Sequence, residues 1–261
     1  MYNSDILRFM EKLPENKNRL DKEMLERGLV RSRSSAQDYI DRGNVKLNGT
    51  VITKSSTMVS SSDKIEVSNV SKFVSRAGDK LEAALDAWKI DLSGLIAIDV
   101  GSSTGGFTDC LLQHGVEKVI AVDVGTDQLV EKLRNDPRVE LHESTDVRKF
   151  STSTVDVAVV DVSFISLSLV LPKVFEFIKT GRTKKTAGRA IFLVKPQFEV
   201  GRELAQKRNG IIRDEKERLA TLESIKTCAK KIGFKVIANI DSPIEGENGN
   251  REFLLLLEKS G

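Results

Sequence analysis

The chain has 261 residues, of which 39% are hydrophobic and 30% charged, and its formal net charge is +3. That composition excludes an intrinsically disordered polymer and leaves room for one large folded domain beside a small one. Its two cysteines, Cys110 and Cys228, show no metal-binding spacing, which argues against a disulfide scaffold or a zinc site.

The opening residues, Met-Tyr-Asn-Ser-Asp-Ile, lack the basic segment and apolar core of a signal peptide, and no apolar run has the length of a membrane span. A cytoplasmic location without membrane contact is the expectation. Residues 1–16 read as an extension with no assigned role, and residues 17–67 as a small α+β domain. Arg19 to Gly28 reads as a helix with Leu20 and Met24 or Leu25 on its apolar face and Gly28 closing it. Arg31-Ser-Arg-Ser34 is a short basic connection. Ser34-Ser-Ala-Gln37 has the form of a capping box, opening a second helix from Ser35 to Arg42 that Gly43 ends. Val45-Lys-Leu-Asn48-Gly49-Thr-Val-Ile52 reads as two short strands about an Asn-Gly turn, and Asp63 to Val67 as one more strand. From Lys17 to Val70 there are ten basic and seven acidic residues, so this segment holds an excess equal to that of the whole chain. A basic small domain suits an anionic polymer.

Residues 68–74 form a linker, and residues 75–261 a larger domain. Ser75 to Trp88 is a helix with Leu81, Ala84, Leu85 and Trp88 on one face and Arg76 and Lys80 on another. Strands are expected at Leu95–Val100, Val119–Asp123, Val139–His142, Val157–Asp161, Ala190–Lys195, Phe234–Ile240 and Glu252–Leu257. Helices are expected at Thr104–His114, Gln128–Asn135, Leu167–Thr180 and Asp214–Ile232. The alternation predicts an α/β, Rossmann-like fold with a mostly parallel sheet covered on both faces.

Ligands of such sheets bind beyond the carboxyl ends of the strands. The first strand runs into Asp99-Val-Gly101-Ser102-Ser103-Thr104-Gly105-Gly106-Phe107, a glycine turn opening a helix. Its G-x-x-x-G-G spacing differs from the pyrophosphate-binding G-x-G-x-x-G and suits an S-adenosylmethionine pocket. Asp123, with Val124 after it, ends the second strand where a carboxylate takes ribose hydroxyls, and Asp146 is placed to meet an adenine amino group. Strands four and five end on Asp161 and Lys195, and the last begins on Glu252. If that last strand runs antiparallel, Asp161, Lys195 and Glu252 converge at one edge. No metal is required by this set. Carbon-5 base methylation needs a nucleophilic cysteine, and both cysteines fall within helices. Exocyclic amine transfer typically uses an Asn- or Asp-Pro-Pro-aromatic turn, where this chain has Asp161-Val-Ser-Phe164.

Two resemblances follow. The order helix, basic turn, helix, Asn-Gly hairpin resembles the S-four-type RNA-binding domain. That resemblance implies structured RNA as partner, with Arg19, Arg31, Arg33, Arg42 and Lys46, and beyond the module Arg76, toward phosphates. Lys80, Asp161, Lys195-Pro-Gln-Phe-Glu199 and Gly249-Asn-Arg-Glu252-Phe resemble the Lys-Asp-Lys-Glu tetrad of FtsJ-like ribose 2′-O-methyltransferases. With Ser75-Arg76-x-Gly78-x-Lys80-Leu-Glu and Val122-Asp-Val-Gly125, the chain is similar over residues 18 to 258 to the haemolysin A (TlyA) family, which joins these two domains. The resemblance implies methyl transfer from S-adenosylmethionine to the ribose 2′-OH of cytidine in small- or large-subunit ribosomal RNA, with ribosomal RNA or subunits as partners. Within the tetrad, Lys195 is placed to accept the hydroxyl proton or to stabilise the alkoxide, and the four groups titrate as one unit. Two alternatives are a membrane-lytic haemolysin, opposed by the lack of any span, and a non-catalytic RNA-binding protein, opposed by the intact tetrad.

Overall fold

A computed structural model of the chain describes residues 17–30, 32–68, 70–181 and 188–259. The chain divides into two compact units, Met1–Val70 and Ser71–Gly261.

In the first unit, β1 (Asn18–Arg19) leads into α1 (Leu20–Glu26), followed by α2 (Arg33–Asp41). Then come β2 (Val45–Leu47), β3 (Thr50–Val51), β4 (Met58–Val59) and β5 (Ile65–Val67). Strand β2 lies between β3 and β5, and β1 pairs antiparallel with β4. Asn48 and Gly49 both take positive φ, 49° and 85°, as the two-residue hairpin turn requires. Leu20, Met24, Ala36, Tyr39, Ile40, Val45 and Val59 form the core.

Asp21 is wholly buried in this unit. It accepts two hydrogen bonds from Arg19 at 3.0 Å, one from Arg33 Nε at 2.9 Å and one from Gln37 Nε2 at 3.0 Å. The Arg19 guanidinium beside it holds this carboxyl far below the usual carboxylate range, against the opposing effect of burial. Because Asp21 captures Gln37, the expected capping box does not form. The helix begins two residues earlier than expected, at Arg33, and Ser32 Oγ caps it by accepting from Ser35 N at 3.1 Å.

The second unit opens with α3 (Ala77–Trp88) and is built on one sheet. Its strands are β6 (Ile96–Val100), β7 (Lys118–Val122), β8 (Val139–His142), β9 (Val157–Val160), β10 (Gly188–Val194), β11 (Phe234–Asp241) and β12 (Phe253–Lys259). Their order is β11-β12-β10-β9-β6-β7-β8. Strands β6 to β10 are parallel, and β12 runs antiparallel between β10 and β11, as the sequence predicts. The chain leaves β6 toward β7 and β8 on one side and returns to β9 and β10 on the other. The β6/β9 junction is therefore the topological switch point, where such sheets bind ligands.

Helices cover both faces. On one, Leu81 and Leu85 of α3 and Phe107 and Leu111 of α4 (Gly106–Gln113) pack on Ala97, Val119, Val159, Leu193 and Leu254. On the other, α6 (Leu171–Phe177) and α9 (Glu215–Ile232) set Leu171, Val174, Leu222 and Ile225 against Ile98, Val160, Phe192 and Leu255. The helix expected over Gln128–Asn135 contracts to α5 (Glu131–Arg134), because Glu143 Oε1 accepts from Gln128 N at 3.0 Å and fixes the entry as a loop. The one expected over Leu167–Thr180 splits into a 3₁₀ turn, Leu167–Leu169, and α6. Two helices unforeseen in the sequence, α7 (Pro196–Glu199) and α8 (Arg202–Lys207), follow β10. No helix among the described residues is long and apolar enough to cross a membrane.

Candidate active site

The glycine turn sits at the switch point. Gly101 has φ 85°, and a Cβ there would lie 2.4 Å from the carbonyl oxygen of Asp161, so the turn passes directly over the end of β9. Gly105, at φ 98°, would drive a Cβ into Leu133 and Leu129. Ser103 and Thr104 are exposed, and Ser103 N donates to Asp123 Oδ2 at 2.8 Å. Asp123 Oδ1 accepts from Gly125 N at 2.7 Å. Each carboxylate oxygen keeps capacity for a further donor. Val124, next in the chain, is 74% exposed, an apolar surface at the strand end.

Four of the expected contacts are placed otherwise than the sequence suggests. Asp99 is fully buried beneath the turn, with Oδ2 accepting from Thr108 Oγ1 at 2.6 Å. Burial, reinforced by the charge of Asp161, pushes this carboxyl up to about 7 against the Thr108 bond. Phe107 and Gly106 are likewise buried, the ring within the core against the sheet. Asp146 caps a 3₁₀ turn and is engaged by Arg148, whose backbone N donates at 3.0 Å and Nη2 at 2.6 Å; that guanidinium holds its carboxyl at about 2. Two polar atoms at the turn, Asp99 Oδ1 and Ser102 Oγ, are buried with no hydrogen-bond partner. A glycine cradle, orphaned polar atoms, a ribose-competent carboxylate and an exposed apolar side chain together fit an adenosyl ligand with an amino-acid tail.

Beside the turn lie two ion pairs. Asp161 follows β9, Lys195 follows β10 and Glu252 precedes β12, on three adjacent strands whose last paired residues are Val160 beside Phe192 and Val194 opposite Phe253. Side chains alternate along a strand. Asp161, Lys195 and Glu252 therefore continue the face of Val159, Leu193 and Leu254, the face that α3 covers. From α3, Lys80 Nζ reaches Glu252 Oε2 at 2.6 Å, with side chains 10% and 2% exposed. Lys195 Nζ lies 2.6 Å from Asp161 Oδ1 and donates to Ser163 Oγ at 2.9 Å. The sequence predicts that the four groups act as one unit. Instead each lysine has its own carboxylate.

Sequence reasoning missed the loop after Asp161. Phe164 is 88% exposed at φ 65°, and its ring lies 5.2 Å from that of Phe198. The local signal was the Asp161-Val-Ser-Phe164 stretch itself, an aromatic three residues past the carboxylate that ends a buried strand.

The cationic candidates are more engaged than their sequence suggests. Arg19 and Arg33 serve Asp21, and Arg42 Nε donates to Asp38 at 2.9 Å. Lys46 is exposed on β2, across from Glu66 and Val51. Arg76 is half-buried at the N-cap of α3, and Arg31 lies outside the described residues.

The profile of the FtsJ-like methyltransferase family matches residues 73–259, and that of the S4 domain matches residues 18–65. The chain is 43% identical to hemolysin A of Brachyspira hyodysenteriae over 241 residues, covering 90% of this chain and 98% of that protein. It is 38% identical over 245 residues to the 16S/23S rRNA (cytidine-2′-O)-methyltransferase TlyA of Mycobacterium tuberculosis, covering 92% and 89%. A solved structure of a proposed hemolysin from Streptococcus thermophilus superposes with a TM-score of 0.73 at 39% identity, covering 94% of this chain and 90% of that one.

Proposed function

The chain belongs to the FtsJ-like methyltransferase family and carries an S4 domain, and on that premise we propose how its residues divide the work of the reaction. It is a ribosomal RNA methyltransferase that uses S-adenosylmethionine and modifies the ribose 2′-hydroxyl of cytidine. The observation that carries the assignment is the pair of ion pairs, Lys80–Glu252 and Lys195–Asp161, at the strand edge beside the glycine turn. S-adenosylmethionine supplies an electrophilic methyl group borne on a sulfonium. Gly101 to Gly106 form the floor of its site, Asp123 takes the ribose hydroxyls, Val124 covers the adenine, and Asp99 and Ser102 hold the turn.

A ribose hydroxyl becomes a competent nucleophile as its proton leaves. Lys195 faces that oxygen, taking the proton or stabilising the developing charge. Asp161 and Ser163 fix the direction of its ammonium. Lys80 and Glu252 form the wall that orients the ribose. Phe164 offers an aromatic face to an unstacked base of the RNA. Methyl transfer from labelled S-adenosylmethionine to ribosomal RNA lacking the modification tests this reading. The labelled nucleotide should resist alkaline cleavage, because a methylated 2′-oxygen cannot attack the adjacent phosphate. Label at a nucleotide still cleaved by alkali would overturn it.

Asp123→Ala should weaken S-adenosylmethionine binding roughly ten- to a hundredfold, the worth of hydrogen bonds to a charged group. Calorimetry reads this directly, and unchanged affinity in a folded variant rejects the ribose contact. In the first unit, Lys46 and the outer faces of Arg33 and Arg42 meet RNA phosphates. Lys46→Ala should lower the slope of log affinity against log salt by about 0.7–0.9, one phosphate's share. An unaltered slope would mark Lys46 as a solvated charge.

A further inference from the structure

We propose that Glu199 is a positioning residue that clamps the Asp161–Ser166 loop and so presents Phe164 and Ser163 to the RNA acceptor. The inference rests on the methyltransferase reading above and adds a residue outside the tetrad.

Glu199 ends α7, the short helix that begins directly after Lys195. Its Oε1 accepts from Leu167 N at 2.8 Å, and its Oε2 accepts from Ser166 Oγ at 2.6 Å. Ser166 is the N-cap of the 3₁₀ turn Leu167–Leu169. One half-buried carboxylate thus binds both a backbone and a side-chain donor at the exit of the loop. The entrance is fixed as well, because Asp161 N donates to Val100 O at 2.9 Å. Between these ends, Val162 and Ile165 pack against the core, leaving Ser163 and Phe164 exposed.

The conformation held this way is not one the chain adopts unaided. Phe164 sits in the left-handed region, which a bulky non-glycine residue avoids unless its surroundings impose it. α7 imposes it through two contacts: Phe198 meets the Phe164 ring, and Glu199 meets the residues just after it. The same helix therefore ties the orientation of Lys195, bonded to Ser163 Oγ, to the pose of Phe164. Removing the carboxylate leaves Leu167 N without its acceptor and frees the loop to relax, while the glycine turn, Asp123 and the Lys80–Glu252 pair stay in place.

The test compares Glu199→Ala and Glu199→Gln in the full-length protein. Glutamine can accept from Leu167 N through its carbonyl and donate to Ser166 Oγ through its amide, so it keeps the clamp. Hydrogen exchange should speed up at least tenfold at the Leu167 amide and its neighbours in the alanine variant, and not in the glutamine variant. Single-turnover transfer at saturating RNA should fall at least tenfold in the alanine variant and stay within threefold of the parent in the glutamine variant. S-adenosylmethionine affinity should stay within twofold in both. Unchanged exchange at Leu167 in Glu199→Ala would overturn the clamp, and so would faster exchange with an unchanged transfer rate. Equal loss of thermal stability and cofactor affinity in both variants would make Glu199 a fold residue and also overturn it. If the parent itself transfers no methyl to ribose, the functional reading fails, and the exchange result alone then upholds or overturns the clamp.

Discussion

Lys195→Ala is expected to lower the transfer rate at saturating substrates by roughly 10²–10⁴-fold, the usual worth of a placed general base or its electrostatic equivalent. Its binding of S-adenosylmethionine and of RNA should change little. The division follows from where the side chain sits. Lys195 lies beyond the last paired residue of β10, outside the hydrophobic core, and its partners are Asp161 and Ser163 rather than the glycine turn. Its loss therefore removes a group that acts on charge developing at the 2′-oxygen, and such an interaction contributes to the transition state rather than to ground-state binding. Single-turnover kinetics with labelled cofactor, beside calorimetric cofactor affinity, separates the two. A variant that loses affinity in proportion to its rate would show that Lys195 holds a substrate instead of activating it. Lys195→Arg discriminates further. An arginine keeps the positive charge but cannot accept a proton in this range. Substantial activity in that variant would assign charge stabilisation, and its absence would assign proton removal.

Much of the candidate site is legible because a charged residue at the end of an apolar strand is conspicuous. Asp161, Lys195 and Glu252 were found this way, and the antiparallel course of β12 brings the third to the edge of the other two. Partner choice was not legible. Lys80 and Glu252 are 172 residues apart, and nothing local indicates that they pair while Lys195 goes to Asp161. The same limit governs Asp21. Arg19, Arg33 and Gln37 look in sequence like a basic surface and a helix cap, yet one buried carboxylate collects all three. Asp99 reads as a strand-end ligand because position along the chain carries no information on depth, and in the fold it lies under the turn. The four-residue helix Pro196–Glu199 is too short to display a helical period, so the element that shapes the acceptor loop left no pattern to read.

Lys80→Met should cost the protein about 3–5 kcal/mol of stability together with most of its activity, because it strands a buried carboxylate. Glu252 is 2% exposed, and a Cβ on Gly246 would stand 2.0 Å from its Oε1, so backbone packs against one carboxylate oxygen while Lys80 holds the other. Glu252→Leu alone should be similarly costly, since it strands the ammonium of Lys80. The double variant, Lys80→Met with Glu252→Leu, removes both charges at comparable volume, and such replacements of buried pairs are often neutral or stabilising. Its denaturant midpoint should therefore return to near that of the parent. Its transfer rate should not return, because the wall that orients the ribose is gone while the fold is whole. That separation of stability from activity is the decisive measurement. Recovery of both in the double variant would reduce the pair to a structural tie between α3 and the start of β12. Recovery of stability alone, with cofactor affinity intact, places Lys80 and Glu252 in the reaction and leaves Lys195 and Asp161 unable to perform it by themselves.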